Sequence, residues 1–125
     1  MITIMIGVAI GGGVGSALRY ALSRQSQPGS LPAGTLYANM AGSLILGVVL
    51  ALTQENLASP WVWSVIGAGF AGGLSTFSTL ALELADLYRT GKRSIAYGYG
   101  LVTLVGGLAS AAVGYFLTSA LTSQF

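Results

Sequence analysis

Cysteine and histidine are both absent from the 125 residues, and charge is nearly so: five Lys and Arg with three Asp and Glu make up 6% of the chain. Without Cys or His there is no disulfide, no thiol or imidazole nucleophile, no haem ligand and none of the usual zinc or copper ligands. So little charge excludes a water-soluble domain of this size. No polar segment is long enough to fold alone, so any function resides among the apolar stretches or in their assembly.

What is present is hydrocarbon. Mean hydropathy is +0.78, and a helix needs about 20 apolar residues to cross a hydrocarbon core of roughly 30 Å. Four stretches reach that length, about 2–22, 34–53, 60–87 and 95–121. They predict an all-α membrane protein with one four-helix transmembrane domain over 1–125. The first stretch lacks a basic leader and carries Arg19 where a cleavage site would stand, so it reads as a retained helix, not a signal peptide. The pI near 9.2 rests on five basic residues beside membrane helices, where phospholipid headgroups, not nucleic acid, are the natural counterpart.

Glycine is abundant, with 19 copies. Gly7, Gly11 and Gly15 share one face of helix 1, Ala38 and Gly42 repeat the spacing in helix 2, and Gly106, Ser110 and Gly114 do so in helix 4; small residues at this spacing let helices approach closely. Arg24 to Pro32 reads as a polar turn, Ser59-Pro60 as the start of helix 3, and Gly91 as its C-cap. Trp61 and Trp63 suit an interfacial belt. Arg24, Arg89, Lys92 and Arg93 fall on one membrane side, with Arg19 near it, and the other side has no Lys or Arg. The positive-inside rule then makes the basic side cytoplasmic and places both termini outside a cell membrane.

The polar run Gly67 to Thr79, GAGFAGGLSTFST, lies in the middle of helix 3. Glycines followed by four hydroxyl residues in five positions weaken a helix. A break leaves carbonyls free at one half-helix end, suited to a cation, and N–H groups free at the other, suited to an anion. The alternative is an unbroken helix whose glycines serve packing and whose hydroxyls bond back to the preceding turn. Asn39 can donate amide N–H groups to an anion or to another helix. Arg19 can draw anions to a vestibule or snorkel to the headgroups. Glu83 and Asp86 occupy the last turns of helix 3, Asp86 at the interface and Glu83 deeper. Phe77, flanked by Thr76 and Ser78, either packs as an ordinary aromatic or turns a partly positive ring edge to an anion.

Three segments, GGGVGSALRY (11–20), PAGTLYANMAGSLILG (32–47) and GFAGGLSTFST (69–79), together resemble the CrcB/Fluc family of fluoride channels, four-helix proteins that assemble as antiparallel dimers with two pores. The resemblance implies that Asn39 is the pore asparagine, Phe77 a pore phenylalanine and Arg19 the vestibule arginine. It further implies that backbone carbonyls around Gly72 and Ser75 hold a structural sodium ion between two subunits. Fluoride is small and strongly hydrated, so a pathway must replace its water with N–H, O–H and ring-edge contacts while binding weakly. Asn39, Ser75, Thr76, Ser78, Thr79 and Phe77 supply that mixture, with Thr103 from helix 4.

Two departures from the family pattern stand out. Leu80 occupies the place of a second phenylalanine, and the helix 4 track that the family lines with hydroxyls reads Thr103, Gly107, Ala111 and Tyr115. Together with the one-sided charge they predict a chain of fixed orientation that pairs with an oppositely inserted homologue; the other assembly is a homodimer. The expected function is passive, electrodiffusive fluoride export. A small multidrug-resistance transporter is a rival of similar size, but it needs a carboxylate in helix 1, and none lies between Ile2 and Arg24. A non-conducting assembly protein would explain the glycines and not the hydroxyls or Asn39. An enzyme would need a nucleophile and a base together, and the sequence offers none.

Overall fold

The computed structural model describes residues 1–24 and 31–125; most of the polar turn expected over 24–32 lies outside them. All regular structure among the described residues is helical. Among the described residues, four spans are long and apolar enough to cross a membrane: Ile2–Ser23, Ala33–Gln54, Pro60–Arg89 and Arg93–Thr122. We call the first two α1 and α2 and the last α5. The third span holds two helices: α3 over 60–74, and α4, Phe77–Arg89. Within α3 the backbone is π-helical over Trp63–Ala71 and returns to α-helix at Gly72–Leu74, a long stretch for a geometry usually confined to single-turn bulges.

The turns follow from their residues. At the end of α2, Asn56 takes the left-handed conformation with φ 57°, and the Leu57 N–H returns to Leu52 O. At the end of α4, Gly91 does the same with φ 83°, and the Lys92 N–H returns to Leu87 O while the Gly91 N–H reaches Tyr88 O. Both are Schellman closures, which satisfy carbonyls that a helix end leaves orphaned. Pro60 sits in the first turn of α3, where a missing N–H costs nothing.

The helices are held together by close backbone approach. A Cβ on Gly11 would meet Val65 O, and one on Gly15 would meet Phe70 O and Leu74 N; from the other side, one on Gly69 or Gly73 would meet the backbone of Val8 or Gly12. The α1 glycine face expected from sequence is therefore seated on α3. The second seam joins α2 and α5. A Cβ on Gly47 would meet Ala111 O, and one on Gly114 would meet Leu44 O and Val48 N. Residue numbers rise together along this seam, so α2 and α5 run parallel. Side chains facing outward are largely apolar, with Ile10, Leu101, Leu104, Leu108 and Phe116 all exposed, as lipid-facing positions require.

Candidate functional site

Helical dihedrals stop at Leu74 and restart at Phe77. Ser75 has φ −81° and ψ 153°, and Thr76 has φ −151° and ψ 129°. An extended residue presents its N–H and C=O for pairing as a strand does, and Thr76 is paired by a side chain. The Thr76 N–H donates to Asn39 Oδ1 at 2.6 Å, and Asn39 Nδ2 donates to Thr76 O at 3.1 Å. Asn39 is only 8% exposed. One of its two amide hydrogens is thus engaged, and one is left for another partner.

The flanking helix ends are finished by hydroxyls. Thr76 Oγ1 accepts from the Thr79 N–H at 3.2 Å and so N-caps α4. Its own hydrogen goes to Thr79 Oγ1 at 3.2 Å, with Ser78 Oγ at 3.3 Å. Ser75 Oγ donates to Ala71 O at 2.9 Å, beside the Ser75 N–H at 3.0 Å. Arg19 reaches across from α1 and donates through Nε to Gly73 O at 3.1 Å, with Ser16 Oγ on the same carbonyl at 3.4 Å. A cation at the carbonyl end of a helix is favourably placed on its dipole. The carbonyls of Gly72 and Ser75 are not taken by the N–H groups four residues on, because Thr76 N–H goes to Asn39 and Thr79 N–H to Thr76 Oγ1.

An open cleft of about 780 Å³ lies between α2, α4 and α5, with the extended pair in its wall. It gathers Asn39, Gly72, Ser75, Thr76, Phe77, Leu80 and Thr103. Ser78 and Thr79 bond to Thr76 Oγ1, and Arg19 is on α1; these three do not line it. Phe77 is 81% exposed, so one side of its ring has no wall from this chain. Thr103 Oγ1 donates to Tyr99 O at 2.8 Å. Gly107 and Ala111 continue the α5 face along the cleft, whereas Tyr115 leaves it and donates its hydroxyl to Gln54 Oε1 at 2.6 Å.

Sequence reasoning overlooked Ser43 and Leu46, which also line the cleft. The signal available was the spacing Thr35, Asn39, Ser43, which puts three polar side chains on one face of α2. Thr35 belongs to a polar cluster near the start of the cleft. Its Oγ1 donates to Glu83 Oε1 at 2.7 Å, and the Tyr99 hydroxyl donates to Glu83 Oε2 at 3.0 Å. Glu83 thereby ties α2, α4 and α5 together, while Asp86 is exposed. Among the described residues no group of three His, Cys, Asp or Glu converges, so a cation held here would rest on backbone carbonyls.

The sequence profile described as "CrcB-like protein, Camphor Resistance (CrcB)" matches residues 6–115. Among similar proteins, the "Fluoride-specific ion channel FluC 1" of Yersinia pseudotuberculosis is 39% identical over 127 residues, covering 99% of this chain and 100% of its own. The protein of the same description in Yersinia pestis is 38% identical with the same coverage. The "Fluoride-specific ion channel FluC" of Escherichia coli K12 is likewise 38% identical over 99% of this chain and 100% of its own length.

Proposed function

The chain belongs to the CrcB-like family, and from that premise we propose that it is a subunit of a fluoride-selective ion channel giving passive fluoride export. It is a channel protein and not an enzyme. The observation that carries the reading is the wall of the cleft, where a carboxamide, hydroxyls and an aromatic ring from three segments of sequence come together around Ser75 and Thr76.

The mechanism follows from what a hydrated halide requires. Fluoride entering an apolar bilayer must exchange water for directed N–H and O–H donors, with no fixed cation to trap it. The free amide hydrogen of Asn39 offers one such contact, and the partly positive ring edge of Phe77 offers a weak one that releases the ion readily. Arg19, engaged at Gly73 O, places positive charge near the approach. Lowered cytoplasmic fluoride is the outcome, in a cell membrane with both termini outside.

The third span acts in this reading as a broken helix whose freed carbonyls face a second subunit. Gly72 and Ser75 suit a structural sodium ion, since a hard monovalent cation takes neutral oxygen ligands and both carbonyls are released from the helical ladder. When bound, the ion would supply positive charge that fixes the two breaks against each other. Exposed Phe77 is completed by the antiparallel partner. Leu80 and the apolar stretch of α5 favour an oppositely inserted homologue as that partner over a second copy of this chain.

Liposomes containing the protein and sodium, with fluoride release read by an electrode, provide the test. Fluoride efflux without chloride efflux is expected, and chloride passing equally well refutes the selectivity. Phe77→Ile and Asn39→Asp should each abolish flux in the pore they line; normal rates in both overturn the site. Efflux from liposomes holding this chain alone, as fast as with the homologue added, excludes the mixed assembly.

A further inference from the structure

The hydroxyls of the cleft are not equal, because most have already spent their hydrogen. Ser75 donates to Ala71 O, Thr103 to Tyr99 O, and Thr76 to Thr79 or Ser78. A hydroxyl has one hydrogen, and an anion is contacted by donors, not by lone pairs. A helical Ser or Thr usually makes the same bond, back to the carbonyl four residues before, as Thr53 and Ser64 do here. Among the four hydroxyl residues that line the cleft, Ser43 is the exception. It lines the cleft, and its Oγ makes no hydrogen bond among the described residues.

Its position is as informative as its freedom. Ser43 lies one turn beyond Asn39 on the same face of α2, and its Oγ sits 3.5 Å from where a Cβ on Gly107 would stand. Around that level the wall is apolar, with Leu46, Gly107, Leu108 and Ala111. An anion moving along the cleft past Asn39 therefore meets a single uncommitted O–H donor, and it comes from α2 where α5 offers bare backbone.

Resting on the channel reading above, we propose that Ser43 is an ion-contacting residue, the donor that follows Asn39 along the pathway and that stands in for the side chain missing at Gly107. The site is one for a small, strongly hydrated anion, which gains most from a donor in place of lost water. A hydroxyl returned from the opposite helix should serve equally well, since Gly107 has room for a Cβ at ordinary contact distance.

The test moves the hydroxyl between helices. Fluoride efflux is measured from liposomes carrying the parent, Ser43→Ala, Ser43→Thr and the double variant Ser43→Ala with Gly107→Ser, each in the assembly that conducts. Removing a hydrogen bond to a charged group should cut the Ser43→Ala rate by about tenfold or more. Ser43→Thr should stay near the parent, and the double variant should recover most of the loss. Unfolding of Ser43→Ala in detergent at the parent's temperature separates lost conduction from lost fold. Equal efflux from parent and Ser43→Ala overturns the inference while leaving the channel intact. A double variant as slow as Ser43→Ala, with Ser43→Thr slow as well, also overturns it, because a merely structural role for Ser43 is then the one that fits. A parent assembly that passes no fluoride overturns the channel reading and this inference with it.

Discussion

Within a turn of each other, the third span makes two contacts of opposite construction. Against α1 it meets backbone to backbone, with Gly11 and Gly15 facing Gly69 and Gly73 and no side chain between them. Against α2 and α5 it meets through a carboxamide, hydroxyls and a leucine-lined space of about 780 Å³. Glycine appears on both sides with opposite meanings. At Gly15 it lets the seam close, and at Gly107 it leaves the cleft open. Glycine count alone says nothing about which is which; the neighbour across the gap decides.

The seam is the more fragile of the two. In Gly15→Val, Cβ would press on Phe70 O and on Leu74 N at 2.8 Å, and backbone cannot rotate away as a side chain does. Overpacking of this kind costs about 1–3 kcal/mol or more, so we expect loss of a single folded peak on size exclusion in detergent; an unchanged profile would show that the seam is not closed as described. Next in size is Asn39→Ala, which strips both partners from Thr76. Leaving this part-buried N–H and C=O without their partner costs about 1 kcal/mol each, the low end for unpaired groups. Lower thermal stability and faster hydrogen exchange at the Thr76 amide should accompany each other, and exchange at the parent rate would sink the pairing.

Smaller effects sharpen the contrast. Tyr99→Phe removes one of two donors to Glu83 and should cost about 1 kcal/mol, seen as a modest shift in detergent unfolding. Gly13→Ala lies two residues from Gly15 on the same helix, but no atom stands within 4 Å of its added Cβ. It should be neutral or stabilising by about 0.5–1 kcal/mol. Together, Gly13→Ala and Gly15→Val measure how much of the glycine in α1 serves packing.

Four membrane spans were plain from hydropathy, because about 20 apolar residues in a row admit few other fates. The α1 glycine face was plain too, from its four-residue spacing. Less could be read at the site. Ser75, Thr76, Ser78 and Thr79 are alike in composition, yet the first two are extended and the last two helical. What separates them is Asn39, a contact made across 37 positions of sequence. The π-helical winding of Trp63–Ala71 left no mark in the residue pattern. Ser43 was overlooked because an isolated serine in a helix ordinarily bonds to its own backbone, and only the arrangement of the other hydroxyls makes its freedom significant.

The two bonds between Asn39 and Thr76 have a kinetic consequence. Both would have to break together to part α2 from the extended pair, so Asn39 and Thr76 move as one unit. A channel pathway has no conformational cycle to complete before the next ion passes. Its throughput is then set by the gradient and by how quickly each contact lets go, and efflux should keep rising with internal fluoride where a rocking carrier would level off.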